Sequence, residues 1–442
     1  MKSNFNRREI LKLIASMGGM ALLKSCTDLE LPVPSAAKLP VSSLFEEQLS
    51  ARKVVRRRTR RIIYNNDGSD VEANMDGVTS PEIFLNARTS WLEHSQVDTI
   101  FYATGVFNMY SHNSSLTEQP INNEAAMNAI RVFSDMDTDT LELMINCCRQ
   151  QNKEIFWSMR MNDLRDATRP EMLSQFKKNN PGFLVATQGA SMPYIQNKWS
   201  GLNYGVDVVR ERAVSIVQDV ITRYDLDGIE LDFLRHPALF KAQFYGEQVT
   251  QQDCDKITQM ILDIRNVCDI EGHKRGRPVL IAIKVPDSIP FNLAIGIDLE
   301  RWLNESLVDL LITGDYFKLG RWEHWSALGR KYNLPVYAGM NDRRITFIPS
   351  TDDEYEKENE PTQIERWRGE AFMAWNGAVN GIYVCNRTDP HDSLFWELGD
   401  TRILTNLLKI RIVSYIGKEG SGYLDPGYWL ANGRNYLNKK IS

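Results

Sequence analysis

Eight short runs of β-branched and aromatic residues recur along this chain, and each pair of runs is separated by a longer stretch with helical spacing. The runs are RIIYNN (61–66), VDTIFYATG (97–105), KEIFWSMRMN (153–162), DGIELDF (227–233), VLIAIKV (279–285), VDLLITG (308–314), LPVYAGM (334–340) and NGIYVCN (380–386). Between them lie segments such as 207–224, with apolar residues three and four apart. Strands that alternate with helices pair in parallel. Eight units in one unbroken series predict a closed (β/α)8 barrel, an α/β fold, rather than an open sheet. No G-x-G-x-x-G follows the first run, which argues against a dinucleotide-binding sheet. Segments 106–150 and 163–206 exceed ordinary connection lengths and predict long rim insertions after strands two and three.

The ends of the chain read differently. Residues 1–8 are polar and basic, and 10–23 form a short apolar run that ends at Leu23-Lys24-Ser25-Cys26. This resembles a bacterial lipoprotein signal, with Cys26 as the lipidated residue, and the Arg7–Arg8 pair resembles a twin-arginine signal. The reading implies export and a lipid anchor on the outer membrane, facing the periplasm or the cell surface. Residues 27–55 are expected to be a tether, 56–415 the barrel, and 416–442 a C-terminal extension packed on it. The basic run from Arg52 to Arg61 allows a nucleic-acid or membrane patch, or a solvated helix leading into the first strand. A formal net charge of -5 favours the helix and excludes nucleic acid as a partner. Cys147, Cys148, Cys254, Cys268 and Cys385 have no disulfide-framework or zinc spacing. No cofactor and no metal site is expected.

In such barrels the chemistry sits at the carboxyl ends of the strands. Here those ends are polar: Asn65, Asn66 and Asp67; Arg160, Asn162 and Asp163; Glu230, Asp232 and Arg235; Lys284 and Asp287; Asp315; Asn341 and Asp342; Asn386. Asp and Asn also cap helices and begin turns, which is the simpler reading for Asp287 or Asp342 taken alone. The fourth run is the strongest signal. Ile229, Leu231 and Phe233 alternate with Glu230 and Asp232, so a period of two turns both carboxylates into the barrel. Buried charges need partners. Arg160 shares a face with Ser158, and Lys284 flanks from the other side.

The motif D-G-I-x-L-D-x-x-R-x-P, Asp227 to Pro237, resembles the fourth-strand signature of bacterial secreted glycoside-hydrolase-like barrels. Tyr64–Gly68, Trp157–Asp163 and Asn380–Asn386 resemble further segments of that group, and together they span about residues 61–412. The resemblance implies a sugar substrate and a catalytic acid at Asp232. Leu234 stands where chitinase-like barrels carry their terminal acid, and Phe233-Leu234 where another clan carries an Asn-Glu pair. Glycoside cleavage needs a second carboxyl group. Asp315 is the first choice for it, with Glu230 and Asp342 as alternatives. Asn66, Asp67, Arg160, Asn162, Asp163, Arg235, Lys284, Asp342 and Asn386 are the expected substrate-binding residues. Arg160, Arg235, Asn66, Asn162 and Asn386 would bind hydroxyls or a uronate or sulfate group, and the two arginines with Lys284 allow an acidic polysaccharide. A non-catalytic carbohydrate-binding lipoprotein is the rival function.

Overall fold

The structure, a computed structural model, describes residues 41–67, 75–120, 123–345, 362–385, 387, 389, 392–409 and 425–437. Cys26 and Asn386 lie outside the described residues. The eight expected strands form and close: β1 (Ile62–Asn66), β2 (Val97–Tyr102), β3 (Glu154–Arg160), β4 (Gly228–Asp232), β5 (Leu280–Val285), β6 (Leu310–Asp315), β7 (Val336–Met340) and β8 (Gly381–Cys385). Each pairs in parallel with its sequence neighbour, and β8 pairs with β1. The chain is a (β/α)8 barrel. The β2–β3 connection carries an antiparallel pair, Gly105–Val106 with Met109–Tyr110, and two helices, Glu124–Asp135 and Thr140–Gln150. The β3–β4 connection carries short 3-10 turns and one short helix before the long helix Asp207–Arg223.

Two apolar layers follow from strand parity. One set, including Ile62, Ile100, Ile229, Ile283 and Leu311, packs against the outer helices. The other fills the barrel: Ile63, Phe101, Phe156, Leu280, Ala282, Leu310, Ile312, Tyr337, Tyr383 and Cys385. Phe101 and Phe156 stack at 4.6 Å between ring centroids. This plug leaves the carboxyl ends of the strands as the only inward-facing positions above it, which is what puts polar side chains there.

Two expectations about the amino-terminal part are corrected. Residues 41–55, assigned to a tether, form a helix, α1 (Val41–Val55), whose far end is fixed to the barrel floor. The basic run is neither a surface patch nor a fully solvated helix, because Arg52, Arg56 and Arg60 are buried. Arg60 grips Glu154 of β3 through two bonds of 2.6 and 2.9 Å. Arg52 donates to Asp309 at 3.0 Å, and Arg265 holds the other oxygen of Asp309 at 2.9 Å. For Arg52 and Arg60 these buried acids supply the partners that make burial tolerable.

At the other end, Pro426–Trp429 and the turn Gly433–Tyr436 pack over the loops that follow the strands. Trp429 meets His236 at 5.7 Å and Tyr436 meets Phe291 at 5.7 Å, ring to ring.

Candidate functional site at the carboxyl ends of the strands

Register decides which side chains meet. Asp232 of β4 lies opposite Arg160 on β3 and Lys284 on β5. Asp232 Oδ1 accepts the backbone N–H of Leu234 and of Arg235, each at 2.9 Å. Its Oδ2 accepts from Lys284 Nζ at 3.2 Å. The strand therefore ends by folding its own backbone around one oxygen, which fixes the carboxylate while the second oxygen stays with the lysine.

Asp315 reaches the same lysine by a different route. Leu310 and Ile312 face inward, so simple alternation would turn Asp315 toward the helices. Gly314 (φ 107°) and Asp315 (φ 47°) both take left-handed conformations, and the turn swings the carboxylate back to the axis. At Gly314 a Cβ would also meet the Trp322 ring at 2.8 Å. A non-glycine residue held at positive φ costs about 1–3 kcal/mol and marks a place where the fold enforces a geometry. Lys284 Nζ lies 2.7 Å from Asp315 Oδ2, and Asn341 donates to Oδ1. One ammonium thus touches both acids, so their Oδ2 atoms lie less than about 6 Å apart. Burial opposes the charge of Lys284, but Asp232 and Asp315 outweigh it and hold the ammonium well above the usual lysine range. Lys284 is consequently a fixed cation rather than a nucleophilic amine.

Glu230 sits one layer deeper and is fully buried. Ser158 and Asn65 donate to one oxygen, the latter at 3.2 Å, and Tyr383 donates to the other at 2.8 Å. Burial first and the neighbouring Asp232 second push its carboxyl up to about 7, against the pull of Lys284, Ser158 and Tyr383. A raised folded-state value means that the native protein holds a proton, between about 4.5 and 7, which the unfolded chain has released. The associated stability is complete below 4.5 and is lost as pH rises through 7, at up to about 1.4 kcal/mol per pH unit. Glu230→Gln should flatten that slope in urea titrations run across the window; a slope unchanged from wild type would show that Glu230 carries no native proton there.

The remaining expected residues divide. Asp67, Arg160 and Arg235 gather at the mouth. Arg160 donates to the Asp67 carboxylate and, at 2.8 Å, to its backbone oxygen; it also meets Asp163 at 3.2 Å. Arg235 lies 3.4 Å from Asp67 and donates to the Tyr316 hydroxyl at 3.2 Å. Asn66 is corrected: it faces out of the barrel, with its amide 3.4 Å from the Arg88 carbonyl, and Asn65 occupies the inward position. Asn162 is corrected as well. It donates to the Leu202 and Ala238 carbonyls and accepts the Leu202 N–H, so it staples two connections together. Asp163 is buried and clamped by Arg165. Asp342 joins Trp367 and Arg387 at 2.8 Å each. Asp287 accepts from the Leu319 N–H at 3.0 Å and pairs with Arg344 at 3.3 Å, tying loops. Trp157 lies on the outer face, donating to Thr104 at 2.9 Å.

Asn65, Ser158, Tyr383 and Asn341 join the centre without having been singled out as site residues. Parity along β3 and β8 was the available signal for Ser158 and Tyr383. Among the described residues no three His, Cys, Asp or Glu side chains come together as metal ligands, and none of the helices is long and apolar enough to cross a membrane.

No family model matches the sequence, and no curated protein matches it. Solved structures do. The chain is similar to α-L-fucosidase isoenzyme 2 from Paenibacillus thiaminolyticus at 13% identity and a TM-score of 0.46, over 79% of this chain and 49% of that one. It spans about half the length of that fucosidase. It is similar to the glycoside hydrolase domain of PgaB (BpsB) from Bordetella bronchiseptica at 10% identity and 0.43, over 80% and 100%. A glycoside hydrolase family 18 N-acetylglucosaminidase from Paenibacillus barengoltzii follows at 12% and 0.39, over 79% and 100%. At these values the likeness is one of barrel architecture and assigns no activity to this chain.

Proposed function

We propose that this protein is an exported, lipid-anchored glycoside hydrolase that cleaves with retention of anomeric configuration, using Asp232 and Asp315. The observation that carries the reading is the pair of carboxylates on β4 and β6, less than about 6 Å apart across the mouth. Retaining glycosidases hold their two carboxyl groups ~5–5.5 Å apart, and inverting ones need ~6.5–9.5 Å for an intervening water. Asp232 attacks the anomeric carbon as the bond to the leaving oxygen breaks, and Asp315 gives that oxygen its proton. Water then attacks the glycosyl-aspartate, releases Asp232 and returns a proton to Asp315. The envelope location rests on the amino-terminal signal and Cys26.

A second reading has an observation of its own. Lys284 pairs with both acids, and Asp315 is fully buried; a sugar-binding lipoprotein would need neither a proton donor nor access to it. Both are tested by incubating the full chain with a panel of polysaccharides and following released sugars by NMR. Release with the substrate's own anomeric configuration is the expected result. Initial product of inverted configuration would overturn the Asp232–Asp315 mechanism. Retention on a glycan without any release would favour the binding protein.

A further inference from the structure

The basic groups at the mouth already have carboxylate partners. Arg160 lies between Asp67 and Asp163, Arg235 rests on Asp67, Arg165 on Asp163, and Lys284 between Asp232 and Asp315. Four cations thus face four acids, with Glu230 beneath them. Nothing in this arrangement calls for an anion from outside. A sulfate or uronate entering here would have to displace a buried carboxylate from its guanidinium or sit against it at like charge, and both cost free energy. A hydroxyl meets no such obstacle, since it can donate to a carboxylate and accept from an arginine.

Solvent reaches this cluster at Arg165, paired with Asp163 and 26% exposed, and at the Asp67–Arg235 pair. The Arg160 side chain is 2% exposed, whereas Asp67 and Arg235 are 18% and 11% exposed. A ligand that touches Arg160 or Arg235 therefore touches Asp67 with it, and one that touches Arg165 meets Asp163. We infer that the mouth selects an uncharged sugar ring, and that Asp67 sets this selectivity by closing Arg160 and Arg235 against anions. The inference rests on the sugar site proposed above and decides for hydroxyls over the uronate or sulfate that the sequence also allowed. Burial works against ionising Asp67, but Arg160 and Arg235 outweigh it and keep the carboxylate charged throughout the neutral range.

Asp67 is open to a clean test because Arg160 also donates to its backbone oxygen. That bond survives a change of side chain. The full chain, Asp67→Asn and Asp67→Ser are run by affinity electrophoresis in matched polymers: xylan against glucuronoxylan, and galactan against sulfated galactan. Thermal melts establish that each variant is folded, and the serine variant serves if the asparagine one is not. The wild type is expected to bind a neutral member at least about tenfold more tightly than its charged counterpart. Removing the Asp67 charge from beside Arg160 and Arg235 should raise affinity for the charged member by about tenfold, the size of one charge-assisted contact. Equal or stronger binding of the charged polymer by the wild type overturns the inference and leaves the glycosidase reading standing. The same holds if neither variant gains affinity. Failure of the wild type to bind any member overturns the sugar site itself, and the inference with it.

Discussion

Asparagine at position 232 is expected to lower turnover of a responsive glycan by at least about a thousandfold, the scale seen when a nucleophile is removed. The structure predicts that the fold survives. The Leu234 and Arg235 N–H groups bond to Oδ1, which an asparagine can still present as its carbonyl. Lys284 keeps Asp315 as a partner at 2.7 Å. Substrate binding should therefore change little while kcat falls, the signature of an interaction made in the transition state. Azide supplies a second readout. In a retaining enzyme with Asp232 shortened to alanine it can enter the space left by the missing nucleophile and attack the anomeric carbon, giving a glycosyl azide of inverted configuration. Asp315→Asn should behave differently: on aryl glycosides whose leaving groups need no proton the first step stays fast while hydrolysis of the glycosyl-aspartate slows, giving a burst of aryl alcohol followed by a slow steady state. An Asp232→Asn protein within tenfold of wild type would remove this residue from bond breaking.

The barrel was readable because its signal is repeated eight times and rests on local chemistry: β-branched runs, helical spacing and the turns between them. The inward direction of Glu230 and Asp232 was readable for the same reason, since two-residue alternation holds within a regular strand. Reading fails where the strand stops. Asn65 and Asn66 are adjacent and alike, and only the pairing of β1 with β2 and β8 decides that Asn65 turns inward. Asn162 lies two residues past the end of β3, so the parity that links it to Arg160 no longer applies. Asp315 reaches the centre through a left-handed turn that alternation would have pointed the wrong way. The arginines of the basic run were misjudged because their partners, Glu154 and Asp309, are distant in sequence. Charge balance at the mouth was hidden likewise: Asp67 meets Arg160 and Arg235 only after the barrel closes.

Lys284→Met should destabilise the protein by about 3–5 kcal/mol at pH 7, the usual cost of removing one member of a buried ionic group. Methionine fills similar space, so the loss measures charge rather than volume. Asp232 and Asp315 would then face each other with no cation between them, and Glu230 would lose an opposing charge. Acidification should narrow the deficit, because a proton shared between the acids can take the place of the ammonium. Urea titrations at several pH values measure both effects; a loss under about 1 kcal/mol would mean that the lysine does not hold this centre together. The sharper comparison adds Asp232→Asn and Asp315→Asn to Lys284→Met. Replacing a whole buried ionic group with neutral side chains is often neutral or stabilising. The triple variant should recover most of the stability lost by Lys284→Met alone, and hydrolyse nothing. Stability alone then gives no reason to keep three charged groups above an apolar plug of Phe101, Phe156 and Ile312. What remains is the chemistry that Asp232 and Asp315 perform when Lys284 holds them in place.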